Sequence, residues 1–123
     1  MRGMAYVPLS HFRVGAALLT EDGKIFTGCN IENAAYTPSN CAERTAIFKA
    51  VSEGEMNFAA IAIAGGPQEG GLQYCGPCGV CRQVMMEFCG PDFPIYLAKS
   101  GTDYRAYTLS QLLPEGFGPG NLA

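Results

Sequence analysis

A cysteine, an acid and a base stand close together in the stretch Cys41-Ala42-Glu43-Arg44. Apolar residues recur after it at three- and four-residue spacing, which predicts an amphipathic helix from about Cys41 to about Ser52. A thiol in the first turn of a helix lies at the positive end of the helix dipole, which favours the thiolate. Cys41 is therefore a candidate metal ligand or nucleophile, and Glu43 is a candidate proton carrier.

The same stretch also has a purely structural interpretation. Ser39 or Asn40 could cap the helix, and with Asn40 as N-cap the Glu43 side chain would fall at N3. A glutamate at N3 commonly reaches back to the cap residue in a capping box. A free cysteine such as Cys41 is also often a small, buried apolar residue. Chemistry at this position therefore requires partners elsewhere in the chain.

A second group of thiols follows a proline, where Cys78 and Cys81 are separated by two residues at a predicted loop-to-helix junction. Both sulfurs of such a pair can bind one tetrahedral ion. A redox pair is an alternative, but thiol oxidoreductases place this motif after a strand and need no distant cysteine with an acid. Cys75 suggests an iron–sulfur site, but that motif requires a fourth cysteine where Met85 stands.

Cys41, Cys78 and Cys81 together would leave one position of a tetrahedral zinc ion open. Structural zinc sites are closed by a fourth protein ligand, whereas catalytic sites keep that position for water. An open site beside Glu43 suggests a zinc-activated water whose protons the carboxylate moves. Three thiolates also make the site electronegative, and this weakens the metal as a Lewis acid.

Positive charge is available to compensate for the thiolates. The first turns of the two predicted helices supply part of it. Arg44 is adjacent to the site in sequence, and Arg82 is a further candidate. The alternative for Arg44 is an exposed helix arginine with no role in the site.

Composition limits the classes of function. The chain has 123 residues, 48% hydrophobic and 15% charged, which predicts one soluble globular domain. Its net charge of −3 and its lack of a basic stripe disfavour a nucleic-acid partner and favour a small molecule. No run of apolar residues is long enough to span a membrane, and we expect no signal peptide. Six cysteines without such a signal indicate thiols or metal ligands in a cytoplasmic protein.

The elements that must position these residues follow the order strand, strand, helix, strand, helix, strand, strand. An Asp-Gly pair predicts a hairpin between the first two strands. The third strand is apolar throughout, which suits a strand covered on both faces, and the flanking helices imply crossovers. The predicted strands are 14–20, 25–29, 58–64, 94–99 and 104–108, and the predicted helices are 41–52, 78–89 and a short turn at 110–113. We therefore expect an α/β fold with a mixed sheet.

Over residues 6–119 the sequence resembles small, homotetrameric cytidine deaminases of the cytidine and deoxycytidylate deaminase family. Zinc nucleobase deaminases carry His or Cys followed by x-Glu, and later Pro-Cys-x-x-Cys. Cys41 with Glu43, and Cys78 with Cys81, match the three-cysteine version of this pattern. The other matching stretches are 12–17, 28–36, 44–46, 82–83, 112–114 and 117–119. The resemblance implies a three-layer αβα fold around a mixed five-stranded sheet.

The activity that the resemblance implies is hydrolytic deamination of cytidine and 2′-deoxycytidine to the uridines, with release of ammonia, in pyrimidine salvage. One Zn²⁺ per subunit would be bound by Cys41, Cys78 and Cys81. Glu43 would take a proton from the zinc-bound water and deliver protons to ring N3 and to the leaving amine. Arg44 would lie behind the ligands as a counter-charge. The positions implied to bind substrate are Phe12, Asn30, Glu32, Ala34, Tyr36, Ala42 and Phe117.

Two of these implied roles differ from what the residues alone suggest, and a third requires a second subunit. Asn30 and Glu32 match a pair that holds the ribose hydroxyl, although by composition they belong to a polar loop after a hairpin. Phe12 matches an aromatic residue packed near the base, although its pattern predicts a core residue. Tyr36 and Phe117 match residues that complete the pocket of a neighbouring subunit. The implied assembly is therefore a homotetramer with shared active sites.

The sequence departs from the family pattern near its start and near the metal motif. Only five residues precede Tyr6, so we expect one catalytic domain, 1–123, whose N-terminal helix is absent or shortened. Leu9 replaces a common tyrosine, and we interpret Cys75 as a spare thiol that binds no metal. Two other functions stay open: a deaminase of a modified nucleoside or of a base in a polynucleotide, and a structural zinc module with a closed site.

Overall fold

A five-stranded sheet with the strand order β2-β1-β3-β4-β5 forms the centre of the computed structural model, which describes residues 1–122. The strands are β1 (Phe12–Thr20), β2 (Ile25–Cys29), β3 (Phe58–Pro67), β4 (Pro94–Ala98) and β5 (Tyr104–Thr108). The helices are α1 (Ala42–Ser52), α2 (Gly79–Phe88) and the short α3 (Leu109–Leu112), and single 3-10 turns occur at Arg2–Met4 and Pro119–Asn121.

The sheet is mixed, as predicted. β1 pairs antiparallel with both β2 and β3, β3 pairs parallel with β4 across the α2 crossover, and β4 pairs antiparallel with β5. The predicted Asp-Gly hairpin joins β1 and β2, and Gly23 adopts a φ of 92° in its turn. The α/β fold class is confirmed.

Strand β3 is longer than its sequence predicts. The glycines after Ala64 indicate a loop, but β3 continues to Pro67, which pairs with Phe12 at the start of β1. The long first strand offers hydrogen-bond partners along this whole length, so tertiary pairing outweighs the low strand preference of glycine. The extension lets β3 support the beginning of β1.

Helices α1 and α2 cover one face of the sheet. The side chains of Leu18, Ile47, Ile61, Met85 and Ile95 form the centre of this core, each at most 1% exposed. Burial of such side chains contributes roughly 1.5–3 kcal/mol each. The core therefore fixes α1 and α2 relative to each other through the sheet.

The opposite face of the sheet is less completely covered than the apolar third strand predicts. Ala60 and Ala62 of β3 are only half-buried on that face. The turn Arg2–Met4 lies against it, and backbone and Cβ atoms of Arg2 are 3.0–3.3 Å from the position that a Cβ at Gly15 would take. The third layer in the described residues is thus one helical turn.

Helix α1 begins one residue later than the sequence pattern predicts. Its N-cap is Cys41, with φ −77° and ψ 157°, and no side chain caps the helix. Asn40 instead donates its side-chain amide to the Thr45 hydroxyl at 3.1 Å. Glu43 consequently lies at N2 and not at N3, so the predicted capping by Ser39 or Asn40 and the capping box are wrong.

The short helix α3 begins one residue before the predicted turn. Thr108 and Gln111 form a capping box there, which satisfies the first backbone donors. None of the helices in the described part of the chain is long and apolar enough to cross a membrane.

Candidate active site

Both long helices begin at a cysteine. Cys41 is the N-cap of α1 and Cys78 is the N-cap of α2, and both have extended backbone angles. Cys81 lies one turn into α2, and its backbone N–H donates to the Cys78 sulfur at 3.5 Å. The positive ends of two helix dipoles are therefore directed at the same group of sulfur atoms.

The structure brings the three predicted ligands together. The sulfur atoms of Cys41, Cys78 and Cys81 all lie within 4.8 Å of one another, and those of Cys41 and Cys78 are 3.4 Å apart. A tetrahedral zinc ion with Zn–S distances of about 2.3 Å places its sulfurs about 3.8 Å apart. Three thiols at this spacing are a donor set that suits zinc, and the cluster could hold one metal ion.

The charges in the cluster favour a thiolate at Cys41. Hydrogen bonding from the Cys81 thiol, with help from Arg44, lowers the pKa of Cys41 to about 5 against the effect of burial. The Arg44 guanidinium Nη2 lies 3.4 Å from the Cys41 sulfur. In the absence of a metal, the Cys41 thiolate in turn raises the pKa of Cys81. Arg44 thus lies where a counter-charge would act, and metal binding would release the remaining thiol protons.

The Glu43 carboxyl is buried beside these thiols, with only 3% of the residue exposed. Burial raises the pKa of Glu43 to about 7, and the negative charge of Cys41 adds to this effect. A carboxyl group with a pKa near neutrality can both accept and donate a proton at physiological pH. A buried acid of this kind is typical of functional sites.

Asn30 has a structural function that its sequence does not reveal. Its side-chain carbonyl accepts from the backbone N–H of Val14 at 3.0 Å, and its amide donates to the carbonyl of Phe12 at 2.9 Å. These two bonds fix the start of β1 to the end of β2. An amide group has four hydrogen-bonding positions, so two remain with which a ligand could interact.

Glu32 holds the loop before β1. One carboxylate oxygen, Oε1, accepts from the backbone N–H groups of Leu9 and Ser10 at 2.9 and 3.0 Å. Burial opposes ionisation, but hydrogen bonding from the Ser10 side chain, together with these backbone bonds, lowers the pKa of Glu32. The loop it holds contains His11, whose φ of 56° is unusual for a residue other than glycine. Oε2 is the oxygen of Glu32 that could accept from a ligand.

Phe12 combines the two interpretations that its sequence allowed. It packs against the core, and it also lines a cleft of about 580 Å³. The other residues that line this cleft are Ser10, His11, Pro67, Gln68 and Glu69. The sulfur atoms of the cluster are not part of this cleft.

The remaining predicted substrate positions divide into buried and exposed residues. Ala42 is fully buried in the first turn of α1, whereas Ala34 is exposed. Tyr36 is 71% exposed and Phe117 is 58% exposed. The fold of the single chain does not bring these two aromatic side chains into the core beside the thiols.

Of two further residues near the cluster, Arg82 differs from its expected role and Cys75 agrees with it. Arg82, a candidate counter-charge, donates to the backbone carbonyls of Pro77 and Leu112. Cys75 is half-buried, and burial followed by the negative charges of Glu43 and Cys41 raises its pKa. Its sulfur is not one of the three that lie within 4.8 Å of one another, which agrees with the interpretation of Cys75 as a spare cysteine.

The fold and this cluster define a class of zinc-binding deaminase domains. Residues 1–97 match the family model described as the cytidine and deoxycytidylate deaminase zinc-binding region. The chain is 52% identical to a cytidine deaminase of Sporosarcina psychrophila, over 99% of this chain and 87% of the relative. It is 50% identical to a cytidine deaminase of Halalkalibacterium halodurans, over 92% of this chain and 83% of the relative.

Solved structures agree with these matches. The crystal structure of a Burkholderia pseudomallei cytidine deaminase superimposes with a TM-score of 0.83 at 48% identity, covering 94% of this chain and 90% of that one. A Mycobacterium tuberculosis cytidine deaminase gives a TM-score of 0.78 at 38% identity, covering 95% and 88%. The chain belongs to the cytidine and deoxycytidylate deaminase family, and it is an enzyme of the hydrolase class.

Proposed function

We propose that this protein catalyses the zinc-dependent hydrolytic deamination of cytidine and 2′-deoxycytidine, and releases ammonia and the corresponding uridines. The observation that carries the proposal is the buried Glu43 carboxyl, with a pKa of about 7, beside three thiols at two helix N-termini. A structural zinc module does not need a buried titrating acid next to its ligands, whereas a hydrolytic site does.

In the proposed mechanism, Cys41, Cys78 and Cys81 would hold one zinc ion per subunit. When bound, the ion would supply a water molecule of lowered pKa as the nucleophile for C4 of the cytosine ring. Glu43 would carry the first proton of that water to ring N3 and its second proton to the departing amine, which leaves as ammonia when the C4–N bond breaks. Arg44 stabilises the thiolate charge, because its guanidinium lies against the Cys41 sulfur.

Substrate recognition is assigned to the residues around the start of β1. Phe12 would contact the base, while Asn30 and Glu32 would bracket one ribose hydroxyl through the amide and carboxylate positions not used by the loop. Backbone groups at Ala34 and Ala42 would contact the remaining edges of the nucleoside. The hydrogen bonds between these two side chains and the 9–14 segment support this assignment, because Asn30 bonds to the backbone of Phe12 and Glu32 bonds to the backbone of Ser10, two residues earlier.

The active unit in this proposal is a homotetramer with shared active sites. Tyr36 and Phe117 would enter the pocket of a neighbouring subunit, and their exposure in the single chain supports this role. The net charge of −3 favours a free nucleoside over a nucleic acid. We place the reaction in pyrimidine salvage in the cytoplasm, carried out by a single catalytic domain, 1–123.

The experiment measures bound zinc and the turnover of cytidine, 2′-deoxycytidine, deoxycytidylate and a cytosine-containing single strand. About one zinc ion per chain and loss of the cytidine absorbance are expected. Glu43→Gln should retain the metal and lose at least about 10²–10⁴-fold in rate. The control Glu53→Gln, at the exposed C-cap of the same helix, should keep its rate. A zinc-replete protein that converts neither nucleoside would refute the substrate assignment. A fully active monomer would refute the shared site.

A further inference from the structure

The side chain of Arg82 joins two backbone segments that are far apart in sequence. Its Nε donates to the carbonyl of Pro77 at 2.8 Å, and its Nη1 donates to the carbonyl of Leu112 at 2.6 Å. The backbone N–H of Arg82 also donates to the carbonyl of Cys78 at 2.9 Å. One residue of α2 therefore fixes both the segment that precedes the helix and the end of α3.

The Pro77 carbonyl belongs to the peptide group that leads into the thiol residue Cys78. Of the three clustered cysteines, Cys81 is buried and Cys41 is half-buried, but Cys78 is exposed. Cys78 also follows the long loop between β3 and α2. Of the three cysteines, it is therefore the one whose position is least fixed by packing of its own side chain. A ligand in such a position needs an external contact to keep its sulfur in place.

We propose that Arg82 is a positioning residue for the metal ligand Cys78, acting through the Pro77 carbonyl and anchored at the Leu112 carbonyl. This role rests on the proposed zinc-dependent function. It differs from that of Arg44, which contacts a ligand sulfur directly and acts through its charge. Groups that orient metal ligands typically change metal affinity about 10–100-fold when they are removed.

In this role Arg82 needs the shape of its guanidinium group as well as its positive charge. The guanidinium group is a rigid planar fork that can donate in two directions at once, whereas a lysine ammonium is a single point charge on a flexible stem. Arg82→Lys therefore keeps the positive charge while it loses the simultaneous contacts to Pro77 and Leu112. That substitution separates a positioning role from a counter-charge role.

The test measures metal binding and not turnover. Zinc affinity is determined by competition with a chromophoric chelator, and cobalt(II) is substituted for zinc to record the absorption of its thiolate complex. Arg82→Lys should weaken zinc binding about 10-fold or more and shift the cobalt bands, which report ligand geometry. Far-ultraviolet circular dichroism confirms that the fold is intact. If Arg82→Lys does not fold, Arg82→Gln is measured in the same way, because its amide retains one donor group.

Gln83 provides a matched control on the same helix. Its side-chain amide donates to the carbonyl of Phe117 at 2.7 Å, so it also fixes the C-terminal segment, but it does not contact Pro77. Gln83→Ala should keep the native zinc affinity and cobalt spectrum. Equal metal binding in Arg82→Lys and the native protein would refute the positioning role, as would an equal loss in Gln83→Ala. A native chain that binds neither metal would refute the zinc-dependent function itself, and the role of Arg82 with it.

Discussion

Alanine at position 28 would test how closely β2 must approach the helix that carries the first thiol. A Cβ at Gly28 would lie 2.3 Å from the carbonyl oxygen of Ala42 and 2.6 Å from the backbone nitrogen of Ala46. Real Cβ contacts essentially never fall below 3.0 Å, and 3.0 minus 2.3 leaves a shift of at least about 0.7 Å. Both contacts are backbone atoms, so no side-chain rotation can relieve them. The first turn of α1 must move away from the sheet.

The expected cost has a stability part and a catalytic part. Inserting a methyl group into a packed core typically costs about 1–3 kcal/mol in free energy of unfolding. The movement of α1 also displaces Cys41 and Glu43 relative to Cys78, which lies on the separate helix α2. A misplacement of about 1 Å in a catalytic arrangement can cost about 10²-fold in rate. We expect Gly28→Ala to lose about 10–100-fold in cytidine turnover.

Urea denaturation gives the free energy of unfolding, and zinc content and steady-state rates report on the site. Gly101→Ala is the matched control, because it adds the same methyl group where no atom lies within 4 Å. The control should stay within about 0.5 kcal/mol of the native protein, as is usual for surface substitutions. If Gly28→Ala also stays within that limit and deaminates at the native rate, the inferred close packing of β2 against α1 is refuted.

Three further predictions concern the cysteines and their surroundings. Arg44→Gln removes the positive charge 3.4 Å from the Cys41 sulfur. Zinc affinity, measured by chelator competition, should therefore fall about 10-fold or more. An unchanged affinity would contradict the counter-charge role. Burial raises the pKa of Cys89 to about 12. Iodoacetamide at pH 8 should therefore modify Cys89 roughly 10³-fold more slowly than an ordinary thiol, because only the thiolate reacts. Mass spectrometry of the protein treated in native buffer and in urea measures this difference. Removal of zinc by a chelator should lower the melting temperature by several degrees, because a ligand that binds only the folded state stabilises it. Equal melting curves with and without zinc would contradict this expectation.

The sequence predicted the sheet and helices well because each long element has a clear periodic or apolar pattern. The errors occur where tertiary contacts outweigh local preference. The glycines after Ala64 indicate a loop, but pairing with β1 extends the strand to Pro67. Asn40 is a good N-cap by type, yet its side chain bonds to Thr45 and leaves the cap position to Cys41.

The thiol cluster could be predicted because ligand chemistry constrains both residue type and spacing. The structure places Cys41 and Cys78 together although 37 residues separate them in the chain. The structural contacts of Asn30 and Arg82 could not be predicted in the same way. Both side chains bond to backbone carbonyl or amide groups. Nearly every residue type carries these groups, so the sequence does not indicate which residue is the partner. The substrate roles of Tyr36 and Phe117 stay predictions, because they require a second subunit.

The N-cap positions of α1 and α2 explain why metal binding and folding should be coupled in this chain. Ser, Thr, Asp or Asn at an N-cap usually stabilises a helix by about 1 kcal/mol, and α1 has no such side-chain cap because Cys41 occupies the position. The same unsatisfied N-terminus stabilises the negative charge of a thiolate. A zinc ion that binds Cys41 and Cys78 would therefore favour the first turns of both helices at once. The start of α1 is weak by local criteria, whereas the Cys78 sulfur already accepts from a backbone N–H of α2, so we expect metal binding to stabilise α1 more than α2.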